Sequence, residues 1–352
     1  MSNSSPYANE TFFQQLLGKA IGARSSDIHF KVGQPPGARV SGDMVYFRVE
    51  KIRAEDTEAI ASLVVRDPEL RGNLEALQEH DTSYAVPGLG RFRVNVYRQR
   101  GSLAIVMRVI PTEIPTFEQI KAPAVCKDLA EKNNGLVLCV GAAGNGKSTT
   151  LASMIGHMNR NRALHIVTIE DPVEYMHIDD KSSVSQREVG SDTASFSKAL
   201  RAALRQDPDV ILVGEIRDEE TMDIALKAAE TGHLVLSTLH TPDCARTVLR
   251  LLSLLPGDPN ETRLRIAGAI QGIVAQRLVP RADGNGLELV AEVLIGSAAV
   301  KEAIRKPEHN PPLKSLMEKG VHPYGMQTFE MALHALFKDG VIDEYAMEEA
   351  LN

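Results

Sequence analysis

The sequence predicts an α/β protein: a parallel-sheet domain built around a phosphate-binding loop, preceded by a smaller α+β domain and followed by a helical tail. Three observations carry this. Short apolar runs at 166–169, 210–213 and 234–237 have the character of strands buried on both faces, and helical stretches near 194–205 and 219–230 separate them. The glycine-rich segment Gly141-Ala142-Ala143-Gly144-Asn145-Gly146-Lys147-Ser148 lies between an apolar run at 136–140 and a helical stripe of Leu151, Met154, Ile155 and Met158. Upstream, residues 90–97 alternate polar and apolar, as a half-buried strand does.

Taken in order, Phe13, Leu16, Leu17, Ala20 and Ile21 share one face of an opening helix, which packs on its own domain because it carries too little positive charge for a membrane surface. The stretch Ser25-Ser26-Asp27-Ile28-His29-Phe30 turns into a strand. In 90–97, Phe92, Val94 and Val96 point to a core while Arg91, Arg93 and Asn95 share the opposite face, and Arg98 and Arg100 stand at the strand's end. A second strand spans 103–109, and Pro111, Pro115 and Pro123 then mark a linker. The expected division is 1–112 as the first domain, 113–120 as the linker, 121–295 as the nucleotide-binding core and 296–352 as a helical subdomain.

The 352 residues suffice for two domains, and 39 basic against 46 acidic residues leave a net charge of −7, with no basic run to track a nucleic-acid backbone. Cys126, Cys139 and Cys244 are too far apart for a zinc or disulfide framework, so a reducing cytoplasm is expected. Neither a secretory leader nor a membrane span is expected, which leaves peripheral contact as the route to any membrane.

The chemistry is sought at the carboxyl ends of the strands. Gly141, Gly144, Asn145, Gly146, Lys147, Ser148 and Thr149 form a phosphate loop: backbone N–H groups cradle the phosphates of ATP, Lys147 reaches the β- and γ-phosphates, and Ser148 holds Mg²⁺. Glu215, two residues beyond the run at 210–213, stands where a strand presents a carboxylate to metal or attacking water, and is the expected general base. Glu170, Asp171 and Glu174 close the strand at 166–169; these carboxylates either hold Mg²⁺ through water or pair with arginines, and Glu170 is the one expected to act. His240 and His233 flank the strand at 234–237, either sensing the γ-phosphate or satisfying a buried carbonyl. Arg91, Arg93, Arg100 and Arg217 are candidates for the positive charge that phosphoryl transfer needs.

Together these motifs resemble the secretion-type ATPases that drive type IV pili, in particular the PilT-type retraction branch. Residues 144–150 look like the family's Walker A, 168–174 like its Asp box, 211–218 like its Walker B and 231–241 like its His box, while Gln186-Arg187-Glu188-Val189-Gly190 is similar to the retraction branch. The resemblance implies a RecA-like ATPase core with a PAS-like amino-terminal domain. It further implies a homo-hexamer, a cytoplasmic motor held at the inner membrane by a pilus platform protein, and a possible second retraction ATPase as partner. An accessory nucleotide-binding subunit and a RecA-like nucleic-acid motor are the competing readings, the latter opposed by the acidic balance. Two departures stand out. Ala142, Ala143 and Asn145 replace residues that are more often Pro, Thr and Ser in the family, and Pro307 interrupts a carboxyl-terminal motif that begins Ala303-Ile304-Arg305.

Overall fold

The computed structural model describes residues 5–40 and 42–351. They form two compact units: one runs to Thr112 and takes in Glu174–Met176, and the other comprises Glu113–Val173 and the chain from His177 onward.

In the first unit, helix α1 (Glu10–Gly22) starts where the Asn9 side chain accepts the N–H of Phe12, and it buries Phe13, Leu16, Leu17 and Ala20. After it come β1 (Ser25–Lys31), β2 (Gly37–Val40), β3 (Asp43–Tyr46), α2 (Ala54–Val64), α3 (Pro68–Gly72), β4 (Glu79–Val86), β5 (Gly90–Gln99) and β6 (Ser102–Ile110). The strands make one antiparallel sheet in the order β3-β2-β1-β6-β5-β4. Phe92, Val94 and Val96 of β5 are fully buried and share a core with α1 and α2, as their alternation predicts.

The second unit contains α4 (Val125–Ala130), β7 (Gly135–Val140), α5 (Lys147–Asn161), β8 (His165–Glu170), β9 (Ser183–Glu188), α6 (Phe196–Ala203), β10 (Val210–Val213), α7 (Glu219–Glu230), β11 (Leu234–Leu239), α8 (Cys244–Leu254), α9 (Pro259–Ala269), β12 (Ile270–Pro280) and β13 (Leu287–Ile295). The chain ends in α10 (Ala298–Arg305), α11 (Leu313–Lys319), α12 (Phe329–Lys338) and α13 (Glu344–Leu351). Its sheet has the order β13-β12-β7-β11-β10-β8-β9 and is parallel from β12 to β9. Only β13 departs from this, running antiparallel to β12 as an edge hairpin that the apolar runs do not announce.

Period-two geometry explains why these strands are apolar throughout. In β7, Leu136, Leu138 and Val140 face one hydrophobic cluster while Val137 and Cys139 face the other, and β10 divides in the same way. One cluster packs against α5, whose Leu151, Met154, Ile155 and Met158 are buried, and the other against α6 to α9. Residues of the tail, including Val300, Ile304, Leu333 and Met347, belong to that second cluster, so α10 to α13 extend the sheet's own core. Among the described residues no helix is long and apolar enough to cross a membrane.

Candidate active site

A parallel sheet delivers its carboxyl ends to one edge, and β7, β11, β10 and β8 are consecutive there. The phosphate loop leaves β7 and enters α5 at Lys147, with Gly146 in the left-handed region at φ +75° as the helix cap. Gly141 is fixed by contact as well as conformation: at φ +143°, a Cβ there would lie 2.5 Å from the carbonyl oxygen of Gln276 on β12. The Lys147 ammonium is buried and donates to the carbonyls of Gly141 and Ala142 at 3.0 and 2.8 Å, folding the loop around itself. Ser148 and Thr149 are half-buried in the first turn of α5, where N–H groups and the helix dipole favour an anion.

β12 supports the loop from its flank. The Asn145 side-chain oxygen accepts the N–H of Leu278 at 3.3 Å, and the Gln276 amide donates to the Thr150 hydroxyl at 2.7 Å. Beside these contacts lies a cavity of about 510 Å³, lined by Gly141, Ala142, Asn145, Arg277, Leu278 and Ala346 among others. That volume is in the range of small-ligand pockets.

Two strands away, Gly214 lets the end of β10 close on β8: its N–H donates to the Ile169 carbonyl at 2.7 Å, and a Cβ would sit 3.2 Å from that same oxygen. Glu215 follows, mostly buried, with Arg217 Nε donating to one carboxylate oxygen at 2.8 Å and His240 Nε2 3.3 Å from the other. The Thr238 hydroxyl donates to the Gly214 carbonyl at 2.7 Å, locking the end of β11 to the turn that carries Glu215. Glu170 ends β8, and both the Thr168 hydroxyl and the Gln186 amide donate to its Oε1, at 2.7 and 3.1 Å. Asp171 is more exposed and lies 4.0 Å from Arg217.

The two histidines part company. His233 places Nδ1 3.1 Å from the Ala228 carbonyl, the backbone role, whereas His240 reaches the Glu215 carboxylate and stays half-exposed at the sheet edge. Thus Lys147, Ser148, Glu170, Glu215 and His240 stand on one edge of one sheet, with Arg217 among them. Chemically, such a set offers backbone N–H groups and a lysine suited to an anion, oxygen atoms of the kind a hard divalent cation takes, and a carboxylate with neighbours on both of its oxygens.

A family model described as Type II/IV secretion system protein matches residues 4–311. The chain belongs to this family. The type IV pilus ATPase PilU of Pseudomonas aeruginosa is 41% identical over 342 residues, spanning 96% of this chain and 87% of that protein. The retraction ATPase PilT of the same bacterium is 39% identical over 338 residues, spanning 96% and 97%. A crystal structure of the pilus retraction motor PilT with bound ADP superposes with a TM-score of 0.85 at 42% identity, covering 96% of each chain. The ATPase DotB of Legionella pneumophila follows at 0.81 and 28% identity, covering 97% of this chain and 95% of that one. The chain is a PilT-type secretion ATPase with a RecA-like fold.

Two of this secretion ATPase's departures from the family pattern, at Asn145 and at Pro307, have local structural counterparts. Asn145 is the loop's tie to β12, a bond between residues 133 positions apart that no local pattern reveals. Helix α10 stops at Arg305, as Pro307 requires, and the Arg263 guanidinium donates to the Ile304 carbonyl at its end. The arginines of the first unit divide by duty. Arg98 is a structural staple, its guanidinium bonded to the carbonyls of Leu74, Glu75, Leu77 and Gly101. Arg91 donates to the Ser83 hydroxyl at 3.1 Å, Arg93 is exposed on the same strand, and Arg100 sits at the tip of the β5–β6 hairpin at φ +50°, beside Gly101.

Proposed function

We propose that this ATPase is the motor of type IV pilus retraction, acting as a homo-hexamer on an inner-membrane platform protein, with a second retraction ATPase as partner, from the cytoplasmic face of the pilus base. The observation that carries the reading is similarity over 96% of the chain to a PilT retraction ATPase, with the phosphate loop, Glu170, Glu215 and His240 all in place on one sheet edge.

In the proposed cycle the loop N–H groups and Lys147 hold the triphosphate of ATP, Lys147 exchanging loop carbonyls for phosphate oxygens. Ser148 and, through water, Glu170 fit Mg²⁺, a cation that keeps several waters and takes few protein oxygens. When bound, Mg²⁺ neutralises charge on the β- and γ-phosphates. Glu215 accepts the proton of the attacking water, and its contacts with Arg217 and His240 fix the carboxylate for that transfer. In this reading His240 also responds to the γ-phosphate. Arg91, Arg93 and Arg100 are the proposed source of the positive charge that phosphoryl transfer needs, and hydrolysis powers the motor.

The test is genetic. Deleting the gene should abolish or slow retraction of fluorescently labelled pili; the wild-type gene should restore it, and Lys147→Ala and Glu215→Gln should not. Normal retraction in the deletion strain, or rescue by either variant, would overturn the reading.

A further inference from the structure

β9 is a polar edge strand, and its side chains are spent on the loop that follows β8. We infer that Gln186 is a positioning residue for hydrolysis, orienting the Glu170 carboxylate. The inference rests on the role given to Glu170 above.

The geometry is set by strand register. β8 and β9 pair in parallel with Thr168 opposite Gln186 and Glu170 opposite Glu188. From these neighbouring places Thr168 Oγ1 and Gln186 Nε2 converge on Oε1 of Glu170, at 2.7 and 3.1 Å, which fixes the rotamer of the carboxylate from two directions. The other end of the Gln186 amide is also engaged, Oε1 accepting the backbone N–H of His177 at 2.8 Å. That pairing determines the amide's orientation. Turned over, it would set an oxygen against a carboxylate and an NH₂ against an N–H, losing both bonds. A lysine or arginine at 186 has no acceptor for His177, and an ionised glutamate has no donor for Glu170. The requirement for donor and acceptor in one side chain of this length selects glutamine.

β9 pins the same loop a second time. Glu188, buried, accepts the N–H of Val173 at 3.1 Å and the Ser191 hydroxyl at 3.2 Å, and the Val189 N–H donates to the Glu170 carbonyl at 2.9 Å. The loop from Glu170 to His177 is therefore held at its start, at Val173 and at its end, and the Gln186 contact joins backbone anchoring to the carboxylate itself. The segment that marks the retraction branch thereby acquires a task in the ATPase site.

Steady-state ATP hydrolysis by the full chain tests this. Gln186→Met keeps length and removes both polar contacts; it should lower kcat about tenfold, as loss of a partner to a working carboxylate does, with KM for ATP within about twofold. In a Glu170→Ala background the same substitution should add less than about a twofold loss, because nothing remains to be oriented. An equal loss in both backgrounds, an effect on KM alone or an unchanged kcat would overturn the inference. Should Gln186→Met lower the melting temperature too far for assay, Thr168→Val removes the other donor isosterically and must show the same dependence on Glu170. Full activity of Glu170→Ala would remove the role of Glu170 and of Gln186 with it. A wild-type chain without ATPase activity would instead refute the proposed motor function.

Discussion

Glu215 has a neighbour at each carboxylate oxygen: Arg217 Nε donates a hydrogen bond to one, and His240 Nε2 lies 3.3 Å from the other. Glu215→Gln keeps the side chain's size and its place in the turn while removing the basicity that the proposed water attack requires. Turnover should fall by roughly 10² to 10⁴, the usual worth of a general base, while affinity for ATP changes little. Isothermal titration beside a phosphate-release assay measures the two separately; parallel loss of binding and turnover would assign Glu215 to ligand binding. The position of this residue was legible in the sequence, because the strand at 210–213 is followed by Gly214, which lets β10 approach β8, and then by a carboxylate. The orienting contacts were less so. The sequence allows His240 either to sense phosphate or to satisfy a carbonyl, and the fold, which sets β11 beside β10, brings it to Glu215 while leaving His233 on Ala228.

At the scale of elements, the phosphate loop depends on β12 as much as on its own glycines. Adding a methyl at Gly141 meets the Gln276 carbonyl at 2.5 Å in a backbone region that L-residues avoid, whereas at Gly144 the surrounding space is open and only the positive φ opposes a side chain. Gly141→Ala should therefore displace the loop and weaken ATP binding at least tenfold, a loss of about 1.4 kcal/mol or more. Gly144→Ala should cost about 1–2 kcal/mol of stability, from left-handed strain, and keep more of the affinity. Nucleotide titrations and thermal melts of both variants check the ranking; equal affinities would show that β12 does not buttress the loop. The same contrast marks what sequence could reveal about elements. β7, β8, β10 and β11 were readable because burial on both faces makes them apolar without interruption. β9 was not readable as a strand, since an edge position leaves Ser183, Ser185 and Arg187 polar, and of the inward residues Val184 is apolar while Gln186 and Glu188 are polar. β12 hides in another way. Gln276 and Arg277 interrupt its apolar run, and their partners, Thr150 and the carbonyl of Ala350, lie 126 and 73 positions away.

At the scale of the whole molecule, buried titratable groups decide how folding responds to acid. The His177 imidazole is pushed down to about 4 by burial and by the nearby charge of Arg160, and its Nδ1 is buried without a hydrogen-bond partner. His29, in the first unit, is shifted in the same direction, chiefly by burial. In the unfolded chain each imidazole titrates near its ordinary value of about 6.5. Between that value and the folded one the unfolded state takes up the proton and the folded state does not, so stability falls as pH falls. For His177 the contribution is fully present above about pH 6.5 and is lost by about pH 4, and the shift corresponds to up to about 3 kcal/mol. The carboxylates act later. Asp27, Asp56 and Asp223 are held below their ordinary range, against the opposing effect of burial, by hydrogen bonds and ion pairs with Ser26 and Arg108, with Arg53, and with Lys227 and Arg265. Their stabilisation persists until pH falls below about 4. Acid should therefore weaken the protein in two stages, the first belonging to histidine. Calorimetric melting from pH 7.5 to 4.5 resolves it: His177→Leu should flatten the decline of the second unit's transition in this window while leaving the first unit's transition, governed by His29, to fall as before. An unchanged slope in His177→Leu would place the first stage elsewhere.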